Sequence, residues 1–120
     1  MFTLECHCGR LKLSAQVAPV TITSCNCSIC HRLGALWAYY DRADVEIDCD
    51  NNAVNKYSWR EKTMIYYRCK HCGCTTHYAT TEDDGNELIA LNCRMANQDA
   101  IDGILIRPFD GKDTWRYLDE

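Results

Sequence analysis

Cys25-Asn26-Cys27-Ser28-Ile29-Cys30 stands between Cys6-His7-Cys8-Gly9 and Cys69-Lys70-His71-Cys72-Gly73, and the spacing inside these three groups decides how the chain is read. Cys-x-Cys and Cys-x-x-Cys pairs are metal-ligand spacings. The outer two groups each supply two thiols and each end in Cys-Gly, so Cys6, Cys8, Cys69 and Cys72 make up one closed four-thiolate tetrahedron. Gly9 and Gly73 follow the last cysteine of each pair, where a residue tolerant of positive φ lets the backbone fold under a metal. The middle group supplies three thiols, Cys25, Cys27 and Cys30, and has no fourth cysteine near it in sequence. Two zinc ions per chain are expected, one structural and one catalytic.

Three protein ligands plus an exchangeable position is the catalytic-zinc pattern. A zinc dication with three thiolates carries a net negative charge, so it activates water poorly and is better matched to a thiol as fourth ligand. Chemistry on a small thiol or thiol adduct is therefore favoured over hydrolysis. The alternative is a second structural site whose fourth ligand comes from elsewhere, with Cys74, His77, Cys93, Cys49 and His31 as candidates. A disulfide scaffold is the other reading of ten cysteines. It belongs to secreted chains, and the opening Met-Phe-Thr-Leu-Glu-Cys has neither the basic nor the apolar segment of a signal peptide. A soluble, cytoplasmic protein is expected.

Outward from the cysteines the chain reads as mainly β. Leu11–Val17 alternates apolar and polar residues, Val45, Ile47 and Cys49 repeat the pattern, and period two marks a half-buried strand. Further β-favouring runs lie at 21–23, 36–40, 64–68, 88–91, 104–106 and 114–118. Turn chemistry separates them at Asp50-Asn51-Asn52, Asp83-Asp84-Gly85-Asn86 and Pro108-Phe109-Asp110-Gly111. Helical signal is confined to one or two short pieces, from Ser28 as a cap through Leu33 to Gly34, and over 97–103. With 120 residues, one domain over 1–120 is expected. Lys and Arg number 13 against 17 Asp and Glu, for a net charge of −4, and the basic residues are scattered. That argues against nucleic acid as a partner, and no apolar run approaches a membrane span.

The three cysteine groups, together with His31-Arg32-Leu33-Gly34-Ala35-Leu36-Trp37-Ala38-Tyr39-Tyr40, Tyr57-Ser58-Trp59, Cys74, Asn92-Cys93-Arg94 and Phe109-Asp110-Gly111, resemble the glutathione-dependent formaldehyde-activating enzyme family, which includes the centromere protein V domain. The resemblance implies a β-tent of folded-over antiparallel sheets, shared with Rab-associated zinc-binding exchange factors. It also implies Cys6, Cys8, Cys69 and Cys72 on a structural zinc and Cys25, Cys27 and Cys30 on a catalytic one. The implied activity is that of a carbon-sulfur lyase on the glutathione–formaldehyde adduct, with a small thiol and a small aldehyde as partners. The alternative is a non-catalytic, zinc-stabilised thiol carrier or protein-binding module. Arg32, Trp37, Tyr40, Trp59 and Arg94 are the expected substrate contacts. The arginines have a planar fork suited to carboxylates, and the aromatics, with Tyr39 and Tyr57, can wall a pocket or simply pack beside the core.

Overall fold

A computed structural model describes residues 1–58, 64–80 and 87–120. Its strands are β1 (Phe2–Glu5), β2 (Lys12–Ala15), β3 (Thr21–Cys25), β4 (Trp37–Asp41), β5 (Val45–Asp48), β6 (Val54–Tyr57), β7 (Met64–Cys69), β8 (Thr75–Thr80), β9 (Leu88–Asn92) and β10 (Leu105–Phe109). The α-helices among the described residues are α1 (Ser28–Leu33) and α2 (Gln98–Ile101). The protein is mainly β, as its alternating runs require. No helix among the described residues is long and apolar enough to cross a membrane.

The strands form two sheets, one in the order β1-β2-β5 and the other in the order β10-β3-β4-β9-β8-β7-β6. All described pairings are antiparallel except β10 beside β3, with Leu105 opposite Thr21 and Phe109 opposite Cys25. A parallel neighbour needs a long crossover, and here nearly all of the large sheet lies between the two strands in sequence.

Period-two alternation divides the residues of the large sheet between its two faces. Ala38, Ile89 and Leu91 point to one face, where they join Phe2, Leu4, Leu13, Ala15 and Val45 of the small sheet in the main core. Trp37, Tyr66 and Ala90 point to the other face and form a second cluster with Cys30 and Ala35. The three-cysteine group thus lies across the sheet from the main core. A third cluster joins Cys6 and Leu11, in the connection between β1 and β2, to Ala53 just before β6 and to Cys69 at the end of β7.

Three strands were not legible as strands in the sequence: β1, β6 and β8. Conversely, 114–118 is not a strand. Asp110 draws Asp113, Thr114 and Trp115 into turns, which leaves one bridge between Tyr117 and Phe109. Pro108 and Phe109 complete β10, so the turn expected from Pro108 begins at Asp110. Cys27, not Ser28, is the N-cap of α1, and Gly34 ends it with φ 64° in the left-handed region that glycine occupies at low cost. The turn expected at 83–86 lies outside the described residues.

His77 faces the main-core side, 3% exposed, with Nδ1 sharing a 2.8 Å hydrogen bond with Thr76 Oγ1. Its ring stacks on Tyr67 at 4.5 Å and 5°. Burial, with a smaller contribution from Arg42, pulls its pKa down to about 4. The unfolded chain takes up this proton near 6.5 and the folded one only near 4. Stability is therefore whole above pH 6.5 and falls as the pH drops towards 4. At about 1.4 kcal/mol per unit the loss is about 3 kcal/mol. Unfolding free energies from denaturant titrations should fall between pH 7 and 4 by about 3 kcal/mol more in wild type than in His77→Gln; an equal fall in both would refute it.

Candidate metal centres

The first centre is built by two matched turns at strand ends. Cys6 follows β1, Cys69 ends β7, and in each turn the glycine N–H donates back to the first cysteine's carbonyl, Gly9 to Cys6 at 3.0 Å and Gly73 to Cys69 at 2.9 Å. Gly9 and Gly73 have φ of 82° and 80°, a region that costs an L side chain about 1 kcal/mol or more. Leu11 N–H donates to Cys6 Sγ, while His71 N–H and Cys72 N–H both donate to Cys69 Sγ, each at 3.4 Å. Amide donors directed at sulfur favour the thiolate, the form that binds metal.

The four sulfurs of Cys6, Cys8, Cys69 and Cys72 lie within 4.8 Å of one another. Cys6 to Cys8 is 3.6 Å and Cys8 to Cys69 is 3.5 Å. A zinc–thiolate tetrahedron with arms of about 2.3 Å has edges of roughly 3.8 Å, whereas a disulfide is about 2.05 Å. All ten cysteines are free. The donor set therefore fits a tetrahedral, thiophilic metal ion.

The second centre starts where β3 ends. Cys25 closes β3, Cys27 caps α1 and Cys30 lies on its first turn, so strand end and helix turn bring three sulfurs within 4.8 Å of one another. Among the described residues no fourth His, Cys, Asp or Glu joins them. The candidates for that place lie elsewhere. His77 is on the opposite face, Cys93 is in the main core with its thiol pushed up to about 12 by burial, and Cys49 and Cys74 pack beside the first centre. His31 is exposed on α1.

Trp37 supports the trio from below. It is wholly buried, and its Nε1–H donates to Cys30 Sγ at 3.2 Å. A hydrogen bond from Cys30 holds the Cys25 thiol down to about 5, and the same contact with burial raises Cys30.

From the other side the segment after β10 clamps the turn. Asn26 Nδ2 donates to Asp110 Oδ1 at 3.0 Å, and Lys112 N–H donates to Asn26 Oδ1 at 2.9 Å. Asp110 also accepts from Thr114 N–H at 3.1 Å and Thr114 Oγ1 at 2.8 Å, and these bonds, led by Asn26, hold its carboxyl at about 2. Gly111 packs so closely that a Cβ there would stand 2.6 Å from Cys25 Sγ and 3.3 Å from Cys27 Cβ.

Above the sulfurs opens a pocket of about 280 Å3. The cross-strand register Tyr66–Tyr78–Ala90–Tyr39 places three tyrosines in one row of one wall, and Phe109, Trp115 and Tyr117 supply another wall. Burial pushes Tyr39 up to about 12 and raises Tyr78 as well, so both hydroxyls stay protonated at neutral pH.

The expected substrate contacts are scattered by the fold. Trp37 lies under the sulfurs with no exposed surface. Tyr40 points to the main-core side and donates to Val17 O at 2.9 Å. Arg32 Nη1 donates to Ser28 O at 3.0 Å, Arg94 Nε donates to Gly34 O at 3.0 Å, and neither lines the pocket. Trp59 lies outside the described residues. Tyr39, one of the aromatics read as able to wall a pocket, does line it, whereas Tyr66, Tyr78 and Trp115 were not expected at the site. Alternation carried a signal for Tyr39, two residues after Trp37 and hence on its face, but nothing local carried one for the others.

The family model of the glutathione-dependent formaldehyde-activating enzyme matches residues 1–103. No curated protein matches the sequence significantly. A crystal structure of a Rhodobacter sphaeroides protein is similar at 21% identity and a TM-score of 0.68, over 87% of this chain and 98% of that one. At that identity the likeness is one of fold.

Proposed function

The chain belongs to the glutathione-dependent formaldehyde-activating enzyme family, and from that premise we propose that it makes and breaks the carbon–sulfur bond of a small thiol–aldehyde adduct over Cys25, Cys27 and Cys30. The observation that carries this reading is a group of three sulfurs, with no fourth described ligand, at the base of a pocket large enough for an organic molecule. Cys6, Cys8, Cys69 and Cys72 hold a structural zinc in this reading, and Cys25, Cys27 and Cys30 a second one. The second zinc, when bound, supplies a soft Lewis acid that keeps a substrate sulfur deprotonated at neutral pH.

The chain's own residues do the rest. The pocket walls hold thiol and aldehyde together, which lowers the entropic cost of their encounter. As the S–C bond forms, the carbonyl π pair moves to oxygen, and that oxygen takes up a proton equivalent to the one the thiol lost. The Tyr39 and Tyr78 hydroxyls are hydrogen-bonded to each other, and in this reading the pair supplies the donor to the developing oxyanion. Cleavage is the same path reversed. Asp110, a carboxylate saturated with hydrogen bonds, positions the Cys25–Cys27 turn and carries no proton.

Native mass spectrometry tests the ligand scheme. Two zinc ions per chain are expected, one of them quickly removed by a mild chelator and protected by glutathione. A rate of formaldehyde–glutathione condensation above the buffer rate is expected only with both ions present. One zinc, or two that resist the chelator equally, would overturn the reading.

A further inference from the structure

Trp115 combines three features that packing alone does not account for. It is 68% exposed. Its φ is 60°, the one left-handed non-glycine residue among those described. Its ring nevertheless lines the pocket over the three sulfurs, edge-on to Phe109 at 5.2 Å and 76°. A bulky side chain in that backbone region persists only where its surroundings over-determine it. Here the surroundings are visible: Trp115 N–H donates to Asp110 O at 2.7 Å, and the Asp110 carboxylate binds the preceding Thr114 twice. The network that clamps the Cys25–Cys27 turn through Asn26 thus also holds this indole at the pocket mouth. The match to the family model ends at residue 103, before this segment.

We propose that Trp115 is a substrate-contacting residue that selects thiols with an aromatic or bulky alkyl substituent. This rests on the reading of the three-cysteine centre as a thiol site. A sulfur held at the pocket base directs its substituent outward, between the wall of Tyr39, Tyr66 and Tyr78 and the wall of Phe109 and Tyr117, towards Trp115. A pocket of about 280 Å3 lies near the lower bound of small-molecule pockets, roughly 300 Å3, far above the need of a one-carbon aldehyde. Aromatic walls gain most from apolar or π-bearing groups in offset or edge-to-face contact. The chemistry is otherwise unchanged: RSH and an aldehyde form the S–C bond, the thiol proton passes to the carbonyl oxygen, and no oxidant or reductant takes part.

Calorimetric titration of the zinc-replete protein with benzyl mercaptan and with 2-mercaptoethanol tests the proposal. Wild type is expected to bind the benzyl thiol at least about tenfold more tightly. Trp115→Gly, which also relieves the φ constraint, is expected to lose about tenfold for benzyl mercaptan and to stay within about twofold for 2-mercaptoethanol. Trp115→Phe should keep most of the preference. Zinc content and melting temperature equal to wild type show that each variant is folded. Equal binding of the two thiols by wild type, or selectivity that survives in Trp115→Gly, overturns this assignment and leaves the thiol site standing. No binding of either thiol overturns both.

Discussion

Cys69→Ser is expected to abolish the cooperative thermal transition of the protein and to cost it one zinc ion. Cys69 is 1% exposed, ends β7, and accepts two backbone N–H bonds in the knuckle that faces Cys6 and Cys8. Those partners sit in the turn between β1 and β2, so the four sulfurs staple the small sheet to the large one across a sequence separation of about 60 residues. Closing so long a loop carries a large entropic cost, which metal binding offsets. Structural zinc sites contribute apparent free energies of about 10–16 kcal/mol, against total stabilities of about 5–15 kcal/mol. A serine hydroxyl does not replace a thiolate on a borderline-soft metal. Circular dichroism melts with metal analysis decide the matter: a variant melting within about 5 °C of wild type would rule out a structural role.

Cys27→Ser is expected to do the opposite, leaving the fold and removing the chemistry. Cys27 is the N-cap of α1 and makes no side-chain cap hydrogen bond there. Serine is among the best N-cap residues, so the helix is kept or strengthened by up to about 1 kcal/mol. The centre itself closes only the short loop from Cys25 to Cys30, and short closures stabilise little. The melting temperature should therefore move by only a few degrees, while the second zinc is lost and turnover of the thiol–aldehyde adduct falls to the uncatalysed rate. Gly111→Ala should reach the same end by displacement, because its Cβ would press on Cys25 Sγ at 2.6 Å. A Cys27→Ser protein that keeps both zinc ions and the wild-type rate would sink the assignment.

The two expectations differ because the same ligand chemistry sits on two kinds of connection, one joining two sheets and one bracketing a single strand–helix turn. Local sequence shows the cysteine groups in both cases. It does not show how much of the fold depends on each.

The cysteine groups, their glycines and the alternating runs were legible because ligand spacing, positive-φ turns and the strand period are local properties. Trp37, Tyr40, Arg32 and Arg94 show where that reading stops: their types suit a binding site, yet one side chain lies beneath the sulfurs, one faces the main core and two bond to nearby carbonyls. A sheet has two faces, and the residues meeting above the sulfurs come from β4, β7, β8 and the segment after β10. Strand order and register bring them together, and these are set by long-range pairing. From its sequence alone this protein was determined to be a mainly β chain with a four-thiol and a three-thiol centre. Only the tertiary structure decided that the first centre joins the two sheets, that the second opens into an aromatic pocket, and that Asp110, Gly111 and Trp115 complete it, because contacts across some 85 residues leave no local trace in the chain.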